Sequence, residues 1–218
     1  MIIVGAKGFA KEILQVLSVE MQLNDEKIIF FDDVSTDLPD LIFNRFSIIR
    51  SFDEIEKIST NINDNSFVLG VGNPILRKRF YSKMLTLNMK PTVTIANSVQ
   101  VGDFDVEIGK GTSIMSGSII TNSIYIGQGC LINLNCTIGH DSYIGDFVEL
   151  SPNVNISGRC KIGDYTSIGT NAIILPDVEI GQNVIVAAGA VVTKNIPDNC
   201  MVAGVPAAVK KELQPLDF

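Results

Sequence analysis

From Ile108 to Val192 every sixth residue is a branched aliphatic: Ile108, Ile114, Ile120, Ile126, Ile132, Ile138, Ile144, Leu150, Ile156, Ile162, Ile168, Ile174, Ile180, Val186 and Val192. The position four residues further on is equally restricted, running Thr112, Ser118, Ile124, Cys130, Cys136, Ser142, Val148, Val154, Cys160, Thr166, Ala172, Val178, Val184, Ala190 and Ile196. An α-helix cannot return a side chain to one face every six residues, whereas three short strands per turn of a parallel β-helix can. Eighteen residues then form one triangular coil, and stacked coils about 4.8 Å apart turn the aliphatics into a ladder. Ile95 and Val101 extend the pattern backward, with one extra residue before Ile108. The residue after the aliphatic is often glycine (Gly109, Gly127, Gly139, Gly145, Gly163, Gly169, Gly181), which predicts a turn where a Cβ is costly.

The first ninety or so residues follow a different grammar. Ile2-Ile3-Val4 predicts a short strand ending at Gly5, followed by a helix carrying Ile13, Leu14 and Leu17. Ile28 to Phe31 predicts a second strand closing on Asp32-Asp33. Ser66 to Val71 predicts a later one closing on Gly72-Asn73-Pro74, with Pro74 in the first turn of a helix. Leu76, Phe80, Met84 and Leu87 then recur at helical spacing. This alternation implies a small, Rossmann-like parallel sheet in an α/β unit over residues 1–92, ahead of the β-helix over residues 93–218.

Charge narrows the partners. A net charge of -7 argues against nucleic acid, because proteins that grip a phosphate backbone concentrate Lys and Arg. No apolar run approaches the ~20 residues needed to span a bilayer, and the N-terminus is charged too early for a secretory signal, so we expect a cytoplasmic protein without a membrane partner. The four cysteines form no CxxC pair, and one histidine cannot complete a structural zinc site, so no metal is expected. Cys130, Cys136 and Cys160 occupy the small inward position and read as core; Cys200 lies past the repeat and carries no signal.

His140 is the single histidine, and within Ile138-Gly139-His140-Asp141-Ser142-Tyr143 it avoids both inward positions. An outward imidazole titrating near neutral pH suits general-base work. Gly158 lies eighteen residues on, so it stacks at the same corner one coil away. The turn Gly5-Ala6-Lys7-Gly8 presents backbone N–H groups suited to phosphate, but it is not the GxGxxG fingerprint of a dinucleotide enzyme.

The turn Val4-Gly5-Ala6-Lys7-Gly8 with Asp32-Asp33, the repeat with Gly139-His140-Asp141, and the ending Val202-Ala203-Gly204-Val205-Pro206-Ala207 together resemble the hexapeptide-repeat sugar acetyltransferases. That family includes the sialic acid O-acetyltransferases and the nucleotide-amino-sugar N-acetyltransferases. The resemblance covers nearly the whole chain and implies a left-handed β-helix, a homotrimer, and acetyl-CoA as cosubstrate in a groove between neighbouring β-helices. It implies His140 as base, Asp141 as the carboxylate that hydrogen-bonds it, and the Gly158 N–H as oxyanion donor. It further places Glu149, Ser151, Gly158, Thr170 and Ala188 at acetyl-CoA and Asn133 near the sugar. Lys7, Gly8 and Phe9 fall to the sugar nucleotide's phosphates, and Asp32, Asp33 and Gly72 to its nucleoside end. Two positions depart from the pattern, since several relatives carry histidine at Phe9 and at Glu149.

The expected activity is N-acetylation of a UDP- or dTDP-linked amino-deoxy sugar in bacterial glycan biosynthesis. The alternatives are O-acetylation of sialic acid or another sugar hydroxyl, and a non-catalytic β-helix scaffold.

Overall fold

The computed structural model of the protein describes residues 1–62 and 64–217; Asn63 and Phe218 lie outside them. The N-terminal α/β unit is built on β1 (Ile2–Val4), β2 (Ile29–Phe31), β3 (Leu41–Ile42), β4 (Phe46–Ile49), β5 (Ser66–Leu69) and β6 (Lys90–Pro91). These form one sheet in the order β3-β4-β2-β1-β5-β6, parallel except at the β3–β4 pair. Three helices accompany it: α1 (Gly8–Leu14), which continues as a wider π turn to Glu20, α2 (Phe52–Ile62) and α3 (Pro74–Thr86). Both faces of the sheet are covered, so its central strands are apolar throughout rather than alternating.

Helix α3 forms where the sequence places it, with Pro74 in its first turn. Its buried residues are Pro74, Arg77, Tyr81 and Met84, while Leu76 is 42% exposed. Leu76 lines a pocket, and Phe80 lines it while also packing edge-on against Phe31 of the core. An apolar helical row says only that a face avoids water, and a ligand cavity satisfies it as well as a core does.

Beyond Pro91 the chain becomes a left-handed parallel β-helix. Its short strands run from β7 (Thr94–Ile95) to β23 (Val191–Val192) and build three faces. Partners are offset by eighteen residues, as in Ser113 with Leu131, Thr137 with Asn155 and Tyr143 with Lys161. Both inward columns are buried; they interlock in one core that also takes in Cys200 and Val202, so Cys200 is a core residue despite lying past the repeat. The end of the prism is closed by β24 (Cys200–Gly204), which joins the first face, and β25 (Ala207–Glu212), antiparallel to it. The earlier irregularity falls at 102–105, where Asp105 takes a positive φ.

The turn glycines stand where a Cβ is costly, as expected, although their own backbone is not left-handed. Left-handed backbone occurs three residues after the aliphatic, at Gly111, Gly117, Gly129 and Gly189 but equally at Asn135, Asp141, Phe147, Arg159 and Tyr165. Each non-glycine pays a steric cost of about 1–2 kcal/mol, offset by a bond from its own N–H to the previous coil, for example Arg159 N to His140 O at 2.8 Å. The glycines after the aliphatic are needed for close approach. A Cβ on Gly169 would sit 2.6 Å from the Ala188 nitrogen of the next coil.

The α/β unit packs on the first face and its bordering corners. Met1, Ile3, Ala10 and Ile13 share a core with Ala96, Met115 and Leu131, while Tyr81 meets Phe147 edge-on with ring centroids 5.4 Å apart. Arg77, completely buried, fastens the two regions. Its Nε donates to Gly129 O at 2.8 Å, its Nη2 to Phe147 O and Val148 O at 2.7 and 2.9 Å, and its Nη1 to Gly72 O.

Candidate active site

His140 occupies the corner between the second face, left at Ile138, and the third, entered at Tyr143. Its Nδ1 lies 2.7 Å from Asp141 Oδ2, and both side chains are more than half exposed, at 57% and 56%. Asp141 reaches back to the neighbouring ring because its backbone is left-handed, with φ of 59°. With Nδ1 donating to the carboxylate, Nε2 is left as the acceptor that faces solvent. The ring lies over Gly158, where an added Cβ would come 2.7 Å from Nε2.

The backbone under the ring has a spare donor. Ser157 N donates to Ile174 O and Arg159 N to His140 O, but the Gly158 N–H between them has no partner among the described residues. Gly139 leaves it uncovered, since a Cβ there would come within 2.6 Å of the Gly158 nitrogen. Equivalent N–H groups at the corner between third and first faces are capped by aspartates of the next coil: Gln128 N by Asp146 and Asp146 N by Asp164. Among the described residues the second-to-third corner carries no such cap at either His140 or Gly158, which leaves the Gly158 donor beside an imidazole.

Asn133, Ser151, Thr170 and Ala188 line a different corner, between the first and second faces. Asn133 Oδ1 accepts from Leu134 N at 2.7 Å, and Ser151 N donates to Ile168 O. The N–H groups of Thr170 and Ala188 have no partner among the described residues. Within one chain, therefore, His140 and Gly158 share a corner, and these four residues share another.

Lys7, Gly8, Phe9, Asp32, Asp33 and Gly72 meet around one pocket of about 410 Å³ over the C-terminal ends of β2, β1 and β5. This is where open parallel sheets receive ligands. Gly8 has open space where a side chain would project. Asp32 is committed internally: Oδ2 accepts from Ala6 N and Ser35 Oγ, and Oδ1 from Val34 N and Ser35 N, which ties the β1–α1 turn to the turn after β2. Lys7 pairs with Asp37 at 3.0 Å and holds that carboxyl below its ordinary range. Asp33 is exposed. Sheet order separates Gly72 from the aspartates, because β1 lies between β2 and β5. Glu149 stands on the first face against Gly72, two residues before Ser151. Burial pushes its carboxyl up, and Arg77 nearby offsets part of that.

Sequence reasoning passed over Arg77 and Gly139. Arg77 falls among apolar residues on a helix, a signal that was present but resembled a surface charge. Gly139 looked like one more turn glycine.

No curated protein sequence matches the chain. Residues 1–84 match the PglD N-terminal domain model, and residues 159–194 match the model for bacterial transferase hexapeptide (six repeats). Among solved structures, the acetyltransferase domain of PglB from Neisseria gonorrhoeae is 27% identical with a TM-score of 0.86, covering 96% of this chain and 98% of its own. WeeI from Acinetobacter baumannii is 27% identical at a TM-score of 0.87, with the same coverage. A perosamine N-acetyltransferase from Caulobacter crescentus superposes at 0.88 over 97% of this chain and 96% of its own; at 24% identity it speaks for the fold alone. Together with the repeat and the histidine corner, these matches make the chain an acetyltransferase with a PglD-type N-terminal domain and a bacterial transferase hexapeptide repeat. Among the described residues, no helix is long and apolar enough to cross a membrane.

Proposed function

We propose that this enzyme transfers acetyl from acetyl-CoA to the free amine of a UDP- or dTDP-linked amino-deoxy sugar in bacterial glycan biosynthesis, working in the cytoplasm as a homotrimer. The observation that carries the chemistry is the His140–Asp141 pair lying over the unpartnered Gly158 N–H. The amine nitrogen attacks the thioester carbonyl carbon while His140 Nε2 removes its proton. The Gly158 N–H stabilises the oxyanion. The carbon–sulfur bond then breaks, and the proton passes from His140 to the departing sulfur, giving the amide and free CoA.

Support for the cosubstrate comes from the Neisseria domain, solved with acetyl coenzyme A. The open N–H groups of Thr170 and Ala188 suit the amide-rich arm of CoA, with Ser151 and Asn133 on the same corner. Because that corner is not the histidine corner, a neighbouring chain completes the site, which favours the trimer. The α/β pocket takes the nucleotide, with the Lys7-Gly8-Phe9 turn at the phosphates and Asp33 at the nucleoside. Asp32 serves by holding the turn in place.

Thiol release from acetyl-CoA, measured against UDP-, dTDP- and GDP-linked amino sugars and free sialic acid, tests this reading. Release with a UDP- or dTDP-linked amino sugar is expected. Release with sialic acid alone, or with no acceptor, overturns it.

A further inference from the structure

Glu149 is a carboxylate in an expensive place. It projects from the first face, half-buried between the stacked positions Leu131 and Ser167, with Oε1 3.6 Å from the point a Cβ on Gly72 would occupy. Among the described residues it has no ion-pair partner. The Ser167 hydroxyl hydrogen-bonds its carboxyl, and Arg77 is the nearby cation, but four of the five Arg77 N–H donors go to the carbonyls of Gly72, Gly129, Phe147 and Val148. Taking a carboxylate out of water without a direct counter-ion costs stability that an amide or apolar side chain would avoid. Such groups gather where a ligand supplies the missing charge.

The direction of the pocket says which part of the ligand arrives there. Asp33 follows β2, the Gly5–Gly8 turn follows β1, and Gly72 follows β5, in that spatial order. A nucleotide-linked sugar is a linear ligand of nucleoside, diphosphate and sugar. With the nucleoside at Asp33 and the diphosphate over Gly8, the sugar reaches Gly72 and Glu149. Gly72 thus belongs with the sugar, although the family resemblance assigned it to the nucleoside.

Resting on the acetyl-transfer reading above, we propose that Glu149 forms an ammonium subsite: its carboxylate binds the protonated amine of the acceptor sugar and selects an amino sugar over its hydroxyl counterpart; before attack the ammonium releases one proton to solvent, and the free amine so formed gives its second to His140. Glu149 also stands two residues from Ser151, so the amine it holds lies at the boundary between the pocket and the CoA corner. The glutamate is then a specificity residue for the acceptor and not a contact of acetyl-CoA.

Steady-state kinetics of Glu149→Gln, read by thiol release, separate these roles. Loss of a charge-assisted hydrogen bond should raise the acceptor KM by about 10–100-fold, with kcat and the acetyl-CoA KM near wild type. Titration calorimetry gives a second readout: the N-acetylated product, which has no ammonium, should bind wild type and variant alike. An unchanged acceptor KM, or a rise in the acetyl-CoA KM instead, overturns the inference while leaving acetyl transfer intact. Should Glu149→Gln not fold, the wild type still decides, because equal affinity for an amino-sugar nucleotide and its hydroxyl analogue overturns it as well. A wild type inert with every amino-sugar nucleotide overturns the acetyl-transfer reading itself.

Discussion

The two regions solve the problem of building a site in opposite ways. In the β-helix one rule governs every coil, and chemistry sits on what the ladder leaves outside it: the open Gly158 N–H and a histidine at a corner. In the α/β unit there is no repeated rule, and each polar residue has its own assignment, such as Asp32 closing four hydrogen bonds across two turns. A periodic scaffold therefore tolerates loss of its site, whereas the α/β unit ties site and fold together.

This contrast can be broken by experiment. His140→Ala should lower turnover by about 10²–10⁴ with an unchanged melting temperature; near-normal turnover in the folded variant would remove the base assignment. Arg77→Met strips donors from buried carbonyls at the junction and should cost about 3 kcal/mol or more of stability in urea titration, because the α/β unit loses its fastening to the prism. Gly158→Ala pushes a methyl against the imidazole and should reduce turnover about 10²-fold while circular dichroism and melting stay normal. Asp32→Ala should cost about 1–2 kcal/mol and weaken nucleotide binding together with stability, unlike the histidine variant. The smallest effect is a null one. Burial pushes the Cys130 thiol up to about 12 and Cys136 to about 11, so at pH 8 both stay protonated and should resist iodoacetamide until the protein is unfolded.

The same contrast explains what could be read in advance. The period of six carried the β-helix, its two inward columns and the eighteen-residue register, since each coil repeats the same sterics. It also set His140 over Gly158. The strand and helix order of the α/β unit was legible from apolar runs and turn residues, and the residues around its pocket were legible through resemblance. Three things were not. Leu76 and Phe80 were legible only as an apolar helical row, because a pocket wall and a core wall share composition. Arg77 became visible only with the carbonyls of Gly129, Phe147 and Val148 around it, contacts more than fifty residues away. The use of Gly139 depended on which N–H of the next coil was already bonded.

The coil-to-coil hydrogen bonds also carry a mechanical consequence. They run along the prism axis, from Thr94 N to Thr112 O at one end to Ala187 N to Val202 O at the other. Tension applied along that axis therefore loads one layer of bonds at a time instead of shearing a whole sheet. The prism should open like a spring losing single turns, each eighteen-residue coil releasing about 60 Å of extended chain. The strands β24 and β25, folded back on themselves at the C-terminal end, are the clasp from which such unwinding has to start on that side.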